Sequence, residues 1–306
     1  MEKNLEKYSA SVSEIGYSFI AKDITEESRL ASWEFCYGLA QCMYRRKKEL
    51  TDYDYDYMAL NLAFYLASWG MYRGSSFLLK KSYKVHIEPI KLIFSKTELW
   101  TGLLSSEELT QFGKDLAIAY GLVAIDYDNE DNDNGPSGMT DTLCTKILLG
   151  LTGNVIAYDR YCKEALSFLG YGRNFFRNVR LTSWDKLSEK GFKFLAKELT
   201  VINCQYTKVA FLNNRYIQTK EKEQYPKAKY VDMFLFVLGG ICDAVKNYCD
   251  DNSSEKKKTA SKDFLFNCFD FGLKFENEIF QEVIEERGYL EKIQEIYNLW
   301  NEKNAK

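Results

Sequence analysis

Along most of this chain apolar residues recur every three or four positions, and nowhere do they alternate with polar residues over the length of a strand. The pattern predicts helices. Residues 24–48 read as one, with Thr25 as N-cap before two glutamates. Residues 54–73 form a strongly apolar helix ending in Trp69, Tyr72 and Arg73. A shorter helix covers 86–95. Ser105 and Glu108 form a capping box opening a helix to about residue 123. Asp126–Gly138, DYDNEDNDNGPSG, is the clearest break in the chain. Helices follow over 139–150 and 159–169, then a basic-aromatic connector, Gly170–Arg180, then helices over 183–202 and 205–219. Lys220–Lys229, KEKEQYPKAK, reads as a polar loop, and 228–249 as a long helix interrupted at Gly239–Gly240. Ser253–Lys262, SSEKKKTASK, reads as a second solvated loop. Amphipathic helices over 262–286 and 289–303 close the chain. The expectation is all-α, one compact unit with two lobes.

Composition narrows the chemistry. The 306 residues include 22 Tyr, 20 Phe and 5 Trp, a stock of rings that serves either a bulky core or a surface on which planar groups stack. The net charge of −3 gives no global basic signature, although a local basic groove is compatible with it. No C-x-x-C occurs among the eight cysteines. The N-terminus has no apolar signal core, and no apolar run is long enough for a membrane span. A reduced, cytoplasmic protein is expected. His86 is the only histidine. Two-histidine metal motifs are therefore impossible, nothing near His86 in sequence supports a triad, and no phosphate loop of the G-x-x-x-x-G-K-[ST] type is present. Carboxylates, lysines and tyrosines remain. Glu130, Asn132, Asn134, Gly135 and Asp141 fall at EF-hand spacing, but the first and last positions carry the wrong residues for a calcium loop. No metal and no cofactor is expected.

The richest stretch is Gly135–Gly170, GPSGMTDTLCTKILLGLTGNVIAYDRYCKEALSFLG. It orders a glycine turn, a short apolar helix carrying Lys146, a tight loop, and a second helix opened by Asp159. That order resembles the core of the helix-hairpin-helix DNA glycosylases, particularly the 8-oxoguanine glycosylase-like branch, over about one ninth of the chain. The typical hairpin reads roughly L-P-G-x-G, with the lysine of bifunctional members closely following its second glycine. Here Lys146 lies eight residues past Gly138, and acidic residues replace the apolar lead-in.

The resemblance implies lobes of residues 1–95 with 262–306 and of residues 96–261, with DNA and a flipped base meeting at the cleft between them. It implies an N-glycosylase that excises a damaged or modified base flipped out of double-stranded DNA, in repair or in defence against phage. Asp159 would stabilise positive charge on the sugar, while the same residue also reads as a plain N-cap. Lys146 would be the lyase nucleophile, or a lysine snorkelling from a helix edge. Trp69, Tyr72 and Tyr158 would line the base pocket, or simply pack the core. Gly135, Gly138 and Thr140 could present backbone N–H groups to a phosphate. Arg73, Arg160, Arg173, Arg177 and Arg180 would bind DNA, the last three with Phe175 and Phe176 as stacking or wedging rings. The alternative is a non-enzymatic helical module that binds nucleic acid or protein. A metal-dependent nuclease lacks a compact acidic pair with a placed lysine.

Overall fold

The computed structural model describes residues 29, 31–45, 49–74, 76–101, 106–122, 139–171, 226–270, 272–285 and 288–305. All regular structure among them is helical, and none of it is strand. The helices are α1 (Ala31–Arg45), α2 (Asp52–Ser68), α3 (Ile87–Ser95), α4 (Glu98–Thr101), α5 (Ser106–Ala119), α6 (Asp141–Leu151), α7 (Arg160–Leu166), α8 (Lys227–Cys249), α9 (Glu255–Asp270), α10 (Glu278–Glu285) and α11 (Leu290–Asn304). Two 3₁₀ turns, Phe77–Lys80 and Tyr83–His86, lead into α3, and a π turn, Ser167–Tyr171, extends α7. The helices expected over 183–202 and 205–219, the connector arginines and the EF-hand-like spacing before Met139 lie outside the described residues.

Local chemistry sets the ends. Asp54 accepts from both the backbone N–H and the hydroxyl of Thr51, at 2.8 and 2.6 Å, which starts α2 where the acidic-aromatic run begins. Thr140 caps α6 by accepting from the Leu143 N–H at 3.2 Å.

Several expectations need correction. The helix expected over 54–73 runs from Asp52 to Ser68, with Trp69 as its C-cap and Tyr72 and Arg73 beyond it. Gly239–Gly240 does not interrupt α8; the helix is continuous from Lys227 to Cys249. The glycines serve close packing instead. A Cβ at Gly239 would overlap the Tyr161 carbonyl oxygen at the start of α7, and one at Gly240 would strike the Phe264 ring of α9. The helix α8 is thus pinched between its two principal neighbours, α7 and α9. Most of SSEKKKTASK is not loop but the first half of α9, because Lys, Glu and Ala favour helix even where no apolar stripe marks it. Residues 262–286 hold parts of two helices, separated near Gly272, whose φ is +99°.

The remaining contacts place α1 on α2 and α6, α2 on α3 and α6, α3 on α5, and α10 and α11 against α8. One continuous cluster of buried apolar side chains runs from Trp33 to Ile296. No helix among the described residues is long and apolar enough to cross a membrane.

Candidate functional site

The short helix α6 is apolar on nearly every side: Leu143, Cys144, Ile147, Leu148 and Leu149 are all buried. Lys146 is buried with them, its side chain only 5 % exposed. A lone ammonium there would cost several kcal/mol, so its position depends on partners. Lys146 Nζ lies 3.2 Å from Asp159 Oδ2 and donates to the Trp69 carbonyl at 3.3 Å. Lys146 and Asp159, on two successive helices, therefore meet.

Asp159 is both an N-cap and a charge partner. Its Oδ1 accepts from the backbone N–H groups of Tyr161 and Cys162, at 3.1 and 3.2 Å, and its Oδ2 faces Lys146. The carboxylate is 18 % exposed. The loop that aims it is held at several points. Gly153 ends α6 with φ +70°, Asn154 Nδ2 donates to the Leu99 carbonyl at 2.7 Å, and the Ala157 N–H donates to Asp232 Oδ1 at 2.9 Å. The Thr145 hydroxyl accepts from the Tyr158 N–H, and the Thr142 hydroxyl donates to the Tyr158 carbonyl, both at 2.8 Å.

A second buried pair stands beside the first. Lys229 Nζ is 3.0 Å from Asp232 Oδ2, with side chains 4 % and 12 % exposed. The Trp69 indole joins the two pairs, since Lys146 Nζ lies 5.6 Å and Lys229 Nζ 5.3 Å from its ring centre, and the Arg29 guanidinium 4.6 Å. Lys229 also lies 4.9 Å from the ring of Trp33, whose Nε1–H donates to the Leu149 carbonyl at 2.9 Å. Next to Trp33 is Glu34, only 4 % exposed. Burial pushes its carboxyl up to about 8, against the pull of the Lys229 charge. The buried Tyr65 phenol is held well above its ordinary range by burial, with Asp232, Cys36 and Asp159 adding to the effect. Two lysines, three acids, a phenol and two indoles thus converge from α1, α2, α6, α8 and the start of α7.

The other expected residues are dispersed. The half-buried Tyr72 turns its hydroxyl to His86 Nε2 at 2.7 Å, and Tyr120 meets His86 Nδ1 at 2.6 Å. His86, which sequence context left without a role, is thus the buried centre of a tyrosine–histidine–tyrosine chain, and burial lowers its pKa to about 4. Tyr158 is buried, with Lys163 Nζ 4.7 Å from its ring centre. Arg73 is exposed, its guanidinium folded back over Gly70. Arg160 is exposed and pairs with Asp243 at 3.2 Å. Thr140 is exposed at the start of α6. Gly135, Gly138, Arg173, Arg177 and Arg180 lie outside the described residues. No cluster of three or more potential metal ligands occurs among the described residues.

Sequence reasoning missed Trp33, Glu34, Tyr65, Lys229 and Asp232. Lys229 falls where the expected loop 220–229 and helix 228–249 overlap, and the structure puts it in the helix, with Pro226 as the N-cap of α8. The signals available were that proline and the i, i+3 spacing of Lys229 and Asp232. Glu34 carried none.

No family model, curated protein or solved structure matches this chain.

Proposed function

We propose that this protein is a DNA N-glycosylase, and that the cluster around Lys146 and Asp159 is its catalytic site. The observation that carries the reading is the contact itself: a nearly buried lysine and an aspartate at 3.2 Å, at the end of a loop pinned from three directions. Cleaving an N-glycosidic bond develops positive charge on the sugar, and a carboxylate fixed before the reaction stabilises that charge without reorganising. The amine beside it is within reach of a base, as a nucleophile must be. The two-lobed architecture and the cleft of the glycosylases belong to the same proposal, with DNA as the partner and its phosphates met by the exposed Arg73 and by Arg160, which would exchange its contact with Asp243 for a phosphate.

The test is base release from duplexes carrying normal, oxidised, alkylated and hypermodified bases, with wild type beside Asp159→Asn. Asparagine preserves an N-cap acceptor for Tyr161 and Cys162 but leaves the buried Lys146 without its carboxylate, so rates are compared per folded molecule, with the folded fraction of each protein measured by circular dichroism. Strand breaks that need alkali and occur only with wild type support a glycosylase. Breaks without alkali add a lyase step and implicate Lys146. An Asp159→Asn protein of full activity would sink the assignment. Absence of release from every substrate favours the helical binding module.

A further inference from the structure

The helix α2, DYDYDYMALNLAFYLAS, is apolar on both sides, and a helix apolar all round is normally covered all round. One side meets that expectation. Met58, Ala59, Leu62, Tyr65 and Leu66 are buried, and α2 packs on α1, α3 and α6. The opposite side is open. Tyr53 is 63 % exposed, Leu60 49 % and Phe64 58 %; Tyr57 is half-buried and Ala67 exposed. These five positions follow one another at intervals of four, three, four and three residues, which keeps them in a single row along the helix, as in the seam of a coiled coil. A contiguous apolar row of this kind on a protein surface marks a contact site.

The chemistry of the row selects its occupant. The helix carries three aspartates and no lysine or arginine, so it repels phosphates and anionic membrane surfaces. It is matched instead to itself. Turned antiparallel about a two-fold axis at Leu60, the row sets the large Tyr53 of one copy against the small Ala67 of the other. It sets Tyr57 against Phe64, and Leu60 against Leu60. Charge favours the same direction. Asp52, Asp54 and Asp56 all lie at the start of α2. A parallel pair would bring the two acidic starts together, whereas an antiparallel pair holds them about 20 Å apart and opposes the two helix dipoles. The area is sufficient. The open parts of Tyr53, Leu60 and Phe64 amount to roughly 350 Å² per copy, or about 700 Å² for two. Tyr57, Asn61, Ala67 and Ser68 on the same side carry the total to about 1,000 Å², where specific interfaces begin.

We propose that this face of α2 is the interface of a homodimer, two copies packed antiparallel about a two-fold axis at Leu60. The inference is independent of the glycosylase reading. An interface of this size gives reversible pairing, with a dissociation constant on the order of micromolar.

The experiment is sedimentation velocity of the full chain from about 1 to 200 μM, a range that brackets such a constant. The wild type should move from 35.6 kDa toward twice that mass as concentration rises. A monomer throughout overturns the proposal and leaves the face to another partner. Leu60→Glu and Leu60→Lys each place two like charges together on the axis and should weaken pairing by at least about 100-fold. An equimolar mixture of the two should pair more tightly than either alone, because only across a two-fold contact does a position meet itself. Pairing undiminished in either variant, or no recovery in the mixture, overturns the assignment. Should the charged variants fail to fold, cysteines give the same answer. Oxidation should link Leu60→Cys to its own copy beyond any linking of the wild type, while Ala67→Cys should link only when mixed with Tyr53→Cys. An unlinked Leu60→Cys, or an Ala67→Cys that links to itself, overturns the antiparallel pair.

Discussion

His86 offers a direct test of the buried polar structure, because it is the only histidine in the chain. Its ring is wholly buried, with Tyr72 at one nitrogen and Tyr120 at the other. A neutral imidazole offers one donor and one acceptor, and two hydroxyls satisfy both. An imidazolium would be a donor at both nitrogens and would carry a charge into the core. Burial accordingly lowers the folded-state value from 6.5 to about 4. The folded state thus binds fewer protons than the unfolded state across that interval. The resulting stability is fully present above about pH 6.5 and is lost as pH falls toward 4. At 1.36 kcal/mol per pKa unit, the loss is about 3 kcal/mol.

The perturbation is His86→Gln, which keeps a donor and an acceptor but does not titrate. Urea unfolding of both proteins between pH 4 and 7.5 gives the stability of each. The wild-type value minus the variant value should fall by about 3 kcal/mol from pH 7 to pH 4. Carboxyls that titrate in the same range, Glu34 among them, are common to both proteins and cancel in the difference. The folded-state titration can also be followed by the single imidazole resonance in NMR, with a midpoint near pH 4. A pH-independent difference, or a midpoint near 6.5, would refute the burial argument.

Other expectations follow from the same contacts. Asp159→Asn should cut base release by at least about 1,000-fold in the protein that remains folded, and should lower stability by about 3 kcal/mol because the cap is retained but the buried Lys146 loses its carboxylate; unchanged stability would contradict the buried ion pair. Gly239→Ala should destabilise by about 3 kcal/mol in urea, because the new methyl meets backbone of α7, whereas Gly240→Ala should cost less because the Phe264 ring can move. Equal costs would contradict the pinched geometry. Glu34→Gln should change the pH dependence in the sense opposite to His86→Gln. The raised carboxyl contributes most below about pH 4.5, and that contribution is lost as pH rises through 8, so wild type should lose on the order of 4 kcal/mol relative to the variant over that range. Trp33→Phe should cost about 1–2 kcal/mol through the lost bond to Leu149, measured the same way.

Helix content, most helix positions and three residues of the cluster, Lys146, Asp159 and Trp69, were readable in the sequence, because each depends on neighbours within a few positions. Apolar spacing marked α2, α6 and α11, and Asp159 as an N-cap marked the start of α7; the Thr51 and Thr140 caps came only with the structure. The first half of α9 escaped because a solvated helix shows no stripe. Lys146 and Asp159 could be named from their flanking loop and helix start, but whether they touch depended on how α6 turns back at Gly153 and how α8 anchors Ala157 through Asp232. The rest of the cluster, Trp33, Glu34, Tyr65, Lys229 and Asp232, comes from segments as far apart as α1 and α8. Periodicity tells a helix which face to bury, and it says nothing of which helix will cover that face. That choice falls to long-range packing: the fit of Gly239 against α7 and of Gly240 against α9, and the need of each buried ammonium for a carboxylate.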